Sequence, residues 1–192
     1  MLKRMRKYLN RSFVVKSIAR LRLLVISSLC FVLGGCGDRL FLHEKRKPEV
    51  DLRKVFNGKL VGFGSFFDYR GAQGRGFTLK MRGEWRGNAG KIEETFVFDD
   101  GEILDRNWTI EFTSETEFIA KADDVEGLGK GRQVGNAVNT VYSLIVPYNN
   151  SKISISANDW VYHIKDGMLI SRISLRKFGF KVGEFVISLW PE

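Results

Sequence analysis

The sequence predicts a mainly β fold, an antiparallel meander that closes on itself as a barrel. Three observations carry this reading. From Lys59 onward, apolar residues recur at every second position in one segment after another. Turn residues separate these segments at short intervals, about 10–15 residues from one to the next. Helical periodicity is almost absent from the same region. Short turns join antiparallel neighbours, and a long meander with one apolar face removes its exposed edges by closing.

The chain does not begin with that pattern. Leu23 to Leu33 is apolar apart from Ser27 and Ser28, bounded by Arg22 on one side and Gly34-Gly35-Cys36 on the other. These residues are too few to cross the hydrocarbon of a bilayer, which takes about 20, but they suit the apolar core of a signal peptide, about 7–15 residues long. Leu33-Gly34-Gly35-Cys36 has the form of a lipobox. Small residues before the cysteine admit the extended chain to a peptidase, and the thiol accepts diacylglycerol. Residues 1–35 are therefore expected to be cleaved as a lipoprotein signal peptide, with Cys36 lipidated.

Charge sorts along the same boundary. Eight of the 31 Lys and Arg precede Cys36 and no acid does, leaving 23 basic against 22 acidic residues from Cys36 onward. The formal charge of +9 thus belongs to a removable leader, and nucleic acid is not an expected partner. Of the two cysteines, Cys30 leaves with the leader, so the exported part holds no disulfide and must stand on its hydrophobic core. Asp38 stands one place beyond the position directly after Cys36. The expected location is the cell envelope, lipid-anchored and facing the periplasm, with the outer membrane preferred over the inner. Residues 36–50 read as the lipidated N-terminus and a polar tether that includes Lys45-Arg46-Lys47 and Pro48. Residues 51–192 read as the barrel domain.

Within that domain, Leu52 to Phe56 suits one helical turn before the first strand. Phe77, Leu79, Met81 and Trp85 then share one strand face, and Thr78, Lys80, Arg82, Glu84 and Arg86 the other. Gly87 to Gly90 turns the chain, and Ile92, Phe96 and Phe98 continue the apolar face as far as Asp99-Asp100-Gly101. Leu104, Trp108, Ile110 and Phe112 follow. Further strands are expected near Glu117 to Asp123, Asn139 to Pro147, Lys152 to Lys165, Met168 to Lys177 and Glu184 to Trp190. Asp166-Gly167 is a two-residue hairpin signal. The glycines of Gly127 to Gly131 suit tight turns or bulges. About nine or ten strands result, and the architecture expected is a lipocalin-like (calycin-type) barrel, with a sandwich as second choice.

The turn at Asp99-Asp100-Gly101 also sets a register. Apolar positions are even-numbered on both sides of it, so facing residues must sum to an even number. A three-residue loop with a left-handed glycine does this. It pairs Phe98 with Glu102, Phe96 with Leu104, Glu94 with Arg106 and Ile92 with Trp108. Glu94 and Arg106 then lie on an apolar face, where each is costly alone and tolerable with the other. They are read either as a polar anchor in a pocket or as an ion pair fixing strand register.

Several short stretches, in one order, resemble a known family. They are Phe56-Asn57-Gly58, Gly62-Phe63-Gly64, Gly83-Glu84-Trp85, Phe98-Asp99-Asp100-Gly101-Glu102, Ala122-Asp123-Asp124-Val125, Gly135-Asn136-Ala137, Asn158-Asp159-Trp160-Val161-Tyr162, Lys177-Phe178-Gly179 and Val182-Gly183-Glu184. Together they make the chain similar to bacterial lipoproteins catalogued as domain of unknown function 3833, over about Asp51 to Leu189. The resemblance implies an envelope lipoprotein of Gram-negative bacteria and carries over no catalytic residues.

Catalytic constellations are scarce. The histidines are His43, in the expected tether, and His163. With no cysteine left to join them, no metal site and no cofactor are expected. The first functional expectation is binding of a small apolar ligand, such as a fatty acid or lipid. Glu94 and Arg106 would orient its head, Trp85 and Trp108 would line the pocket, and Trp160 and Tyr162 the rim. The second expectation is a structural or assembly role, a filled barrel presenting its outer face to an envelope protein or the cell wall.

Overall fold

The computed structural model describes residues 39–149 and 151–192. Cys36 and the expected signal peptide lie outside the described residues. Ten strands follow in chain order: β1 (Gly58–Asp68), β2 (Gln73–Arg86), β3 (Ala89–Phe98), β4 (Ile103–Phe112) and β5 (Glu117–Ala122), then β6 (Val125–Val134), β7 (Ala137–Tyr148), β8 (Ser151–Lys165), β9 (Met168–Lys177) and β10 (Phe180–Pro191). Each strand pairs antiparallel with its neighbours in sequence, and β1 pairs with β10, so the meander closes into a barrel.

Alternation decides which side chains go inside. On β2, Phe77, Leu79 and Met81 are buried, while Thr78, Lys80, Arg82 and Glu84 between them are exposed. Charges on the outer wall mark a water-facing barrel rather than a lipid-facing one, whose outer band is apolar. The β3–β4 register is the one the turn dictates. Ile92 faces Trp108, Glu94 faces Arg106 and Phe96 faces Leu104. Phe98 N–H donates to the Glu102 carbonyl at 2.9 Å, and Gly101 has φ +86°. Asp166 (φ +51°) and Gly167 (φ +79°) form the two-residue turn from β8 to β9. The glycine run is a strand: Gly127 to Gly131 belong to β6, with an irregularity in pairing to β7 between Glu126 and Lys130.

One end of the barrel is plugged. Helix α1 (Leu52–Val55) is a single turn whose N-cap, Asp51, accepts from Arg53 N–H at 3.1 Å. Leu52 and Phe56 point into the core, and Leu52 N–H donates to Gln133 Oε1 at 3.0 Å. The turns β2–β3, β4–β5, β6–β7 and β8–β9 lie at this end by the meander order. The other five connections, including Asp123-Asp124 and Phe178-Gly179, lie at the opposite, unplugged end.

The segment ahead of the plug departs from the expected tether. A 3-10 turn, Arg39–His43, buries Leu40 to 1% exposure. His43 Nδ1–H donates to Asn136 Oδ1 at 3.1 Å, and its ring lies 5.3 Å from that of Tyr162. Val50 N–H donates to the Gly135 carbonyl at 2.7 Å, and His163 Nδ1–H donates to the Glu49 carbonyl at 3.0 Å. Residues 39–50 are thus a collar docked at the plugged end, not a solvated leash. Leu40 and Val50 supply the burial that composition alone, dominated by charges, conceals.

Candidate ligand cavity

Inside the barrel, above the plug, is a cavity of about 90 Å³. A cavity needs about 10–15 Å³ on this measure to hold one water, so several waters or the body of a small molecule fit. Its wall is mostly apolar, with Leu79, Ile92, Phe96, Val161, Ile187 and Leu189 among the lining side chains. Glu94, Arg106, Trp108, Tyr142, Asp159 and Ser171 bring polar atoms to the same space.

Each polar residue arrives by strand parity. Even positions of β3, β4 and β7 face inward, as do odd positions of β8 and β9. Trp108 Nε1–H donates to Glu94 Oε2 at 3.2 Å. The Trp108 and Tyr142 rings meet edge to face at 5.2 Å. Across the barrel, Ser171 Oγ donates to Asp159 Oδ1 at 2.9 Å. Arg106 faces Glu94 in register but gives its guanidinium elsewhere. Its Nε lies 2.9 Å and its Nη2 2.6 Å from Asp124 Oδ2, at the β5–β6 turn. The other oxygen, Asp124 Oδ1, is buried without a hydrogen-bond partner.

The electrostatics follow from that geometry. Burial pushes the Glu94 carboxyl up to about 7, against the pull of Arg106 and the Trp108 hydrogen bond. Burial likewise raises Asp159 to about 6, with Ser171 and Arg106 opposing. The Tyr142 hydroxyl is also raised, first by burial and then by Asp159. The cavity wall therefore brings two carboxyl groups, Glu94 and Asp159, against one guanidinium, and Glu94 is close to half-protonated at neutral pH.

Of the residues singled out from sequence, Glu94, Arg106 and Trp108 line the cavity. Trp85, Trp160 and Tyr162 do not. Trp85 seals the plugged end, its Nε1–H donating to the Phe56 carbonyl at 3.2 Å and its ring 6.0 Å from that of Phe112. Trp160 and Tyr162 occupy the outward parity of β8. They stack on each other at 5.9 Å beneath the collar's His43. The reading of these two as a pocket rim is corrected by parity: Asp159 and Val161, which alternate with them along β8, are the inward pair. Asp159, Ser171 and Tyr142 were not found from sequence. The buried positions Ala157 and Val161 flank Asp159 at inward spacing, which was the available signal.

A closed antiparallel barrel, plugged at one end and carrying an interior cavity with convergent polar groups, defines a lipocalin-like fold. Its likeness to a solved structure agrees. The S-type phycobiliprotein lyase CPES from Guillardia theta superposes with a TM-score of 0.52 at 8% identity, over 81% of this chain and 98% of that one. That likeness concerns the fold. The chain belongs to the family described as Protein of unknown function (DUF3833), whose model matches residues 30–190. Among curated proteins none matches.

Proposed function

We propose that this protein is a lipid-anchored envelope protein whose barrel binds a small amphipathic molecule in its interior cavity. The observation that carries the binding reading is the cavity itself, apolar over most of its wall with Glu94, Arg106, Trp108 and Asp159 converging on it. A barrel meant only to be filled has no use for four such groups at its centre, where each costs desolvation. The phycobiliprotein lyase adds a barrel of similar shape. Anchoring rests on the leader, with Leu33-Gly34-Gly35-Cys36 after an apolar run and a basic start.

Native mass spectrometry of the full chain, released from detergent in the gas phase and followed by solvent extraction, tests binding. The expected result is a small molecule retained by the folded protein. A barrel that remains bare after exposure to total envelope lipid and metabolite extracts overturns it. For the anchor, Cys36→Ser is expected to abolish labelling by a radioactive fatty acid and to shift the protein out of the membrane fraction. An unlabelled wild type sinks that part.

A second reading rests on a groove of about 470 Å³ on the outer wall, lined by charged side chains such as Glu84, Arg86, Lys91, Glu111 and Lys121. It suits a polar protein partner in an assembly role, for which the cavity would stay empty.

A further inference from the structure

The interior polar groups say what kind of head the ligand carries, and the argument rests on the binding reading above. Glu94 accepts through Oε2 from Trp108, and Asp159 accepts through Oδ1 from Ser171. Both donors are neutral, and each bond uses one oxygen. Both carboxyls line the cavity while lying deep in the barrel. The second oxygen of each, Glu94 Oε1 and Asp159 Oδ2, has no partner among the described residues and is left to the cavity. The cation nearby does not satisfy them, because Arg106 is committed to Asp124 at 2.6 and 2.9 Å.

We propose that the cavity takes a ligand with a cationic amine head, its ammonium held by Glu94 Oε1 and Asp159 Oδ2 and its short alkyl body against the Leu79, Ile92, Val161 and Leu189 side of the wall. An ammonium brings three donors and one positive charge. It meets two acceptors and offsets the acid excess of the interior. A carboxylate head does the reverse. It brings only acceptors to a space where one oxygen of each carboxyl already lacks a donor, and it adds like charge. An alcohol satisfies one oxygen and leaves the charge balance unchanged.

The proton balance follows from the same groups. Unliganded, Glu94 and Asp159 hold protons part of the time near neutrality. An ammonium ion-paired to them favours both ionised forms, so binding expels protons into the buffer. The charged and titratable groups that face this space are Glu94, Asp159, Arg106, Asp124 and Tyr142. Arg106 stays charged and the Tyr142 hydroxyl stays neutral across the range used, so Glu94 and Asp159 set the dependence. With both carboxyls ionised in the complex, affinity for the amine is expected to rise by about a hundredfold from pH 5.5 to pH 8.

The experiment titrates the full chain, in a non-ionic detergent, with hexylammonium, hexanoate and hexanol. Heat is recorded in two buffers of different ionisation enthalpy, so that proton release is read directly. The expected result is tightest binding by hexylammonium, with protons released, and a loss of about tenfold in Glu94→Gln and in Asp159→Asn. Both substitutions remove a buried charge and keep the shape, and an unchanged or raised unfolding midpoint confirms that each variant is folded. Hexanoate binding tightest, with loss in Arg106→Met, overturns the amine head and leaves the binding reading standing. Hexanol binding as well as hexylammonium with no proton release also overturns it. Failure of all three, and of their longer-chain homologues, removes the binding reading and this inference with it.

Discussion

Glu94 and Asp159 are held in a place that disfavours their charge, so each makes the fold depend on pH in a direction opposite to an ordinary salt-bridged acid. For Glu94 the ordinary value is 4.5 and the folded value about 7. Below both, the group is protonated in folded and unfolded chains alike and any advantage of the neutral form is fully present. As pH rises through that window the unfolded chain ionises freely while the folded one resists, and stability falls. Glu94→Gln is therefore expected to raise unfolding free energy by about 3 kcal/mol at pH 8, with the gain fading toward pH 4.5. Urea unfolding across that range checks it, and a gain that grows as pH falls would contradict it. Arg106 behaves the other way. Its carboxylate partner Asp124 already has one buried oxygen without a partner, so Arg106→Met strands a charge and is expected to cost about 3 kcal/mol. Most of that should return in Arg106→Met with Asp124→Leu, because the carboxylate that Arg106 bonds directly is removed with it, while the pull of Arg106 on Glu94 and Asp159 stays lost. The two carboxyls could be reached from sequence only in part. Glu94 was visible because the turn at Asp99-Asp100-Gly101 fixes parity on both flanking strands. Asp159 was hidden because β8 carries large apolar groups on both parities, Ile153, Ile155 and Val161 on one and Trp160, Tyr162 and Ile164 on the other. Aromatic bulk on the even side drew the wrong assignment.

Among the elements, the plug shows why Gly83-Glu84-Trp85 stands where it does. A Cβ at Gly83 would sit 1.6 Å from the Phe56 carbonyl oxygen, and Trp85, on the same face, donates its indole N–H to that oxygen at 3.2 Å. One residue makes room for the carbonyl and the other holds it, which docks α1 onto β2. Gly83→Ala is expected to destabilise the protein by about 2 kcal/mol and to speed amide exchange in Leu52 to Phe56. If exchange there is unchanged while stability falls, the effect lies elsewhere. Trp85→Phe keeps the ring packing against Phe112 and loses the bond, an expected cost of about 1 kcal/mol. A similar economy operates at β6, where a Cβ on Gly131 would lie 2.1 Å from the Phe118 ring. The glycine run therefore gives Phe118 its seat in the core. Strand alternation could not reveal this, since glycine breaks the apolar pattern without leaving the strand.

For the whole molecule, closure was legible because each turn is short and each strand presents one apolar face, which leaves an antiparallel meander no better way to bury it. What sequence could not supply was the convergence of distant strands, β3 with β8 and β9, around one cavity. Nor could it supply the docking of the collar, since only three-dimensional packing distinguishes Leu40, at 1% exposure, from its exposed neighbours Phe41 and Leu42. That docking bears on how a lipid-anchored form would meet a membrane. A tether spanning Gly37 to Val50 would reach about 50 Å when extended. With residues 40–50 docked on the barrel, an acylated Cys36 would be separated from Arg39 by three peptide units, which span at most about 11 Å. If Cys36 is acylated as proposed, the plugged end, where the collar sits, would be the membrane-proximal end, with the exposed Phe41 and Leu42 on the collar near the headgroups. The unplugged end, with Phe178 at 88% and Phe180 at 77% exposure, would then be held away from the anchoring leaflet. A fluorophore attached at Asn88, in the β2–β3 turn, is expected to be quenched by nitroxide-labelled lipid in vesicles carrying the acylated protein, and one at Asp100, in the β3–β4 turn, to be spared. Leu40→Asp, which undocks the collar and lengthens the leash, should bring the two positions toward equal quenching. Equal quenching in the wild type would mean that the collar does not hold the barrel upright on its anchor.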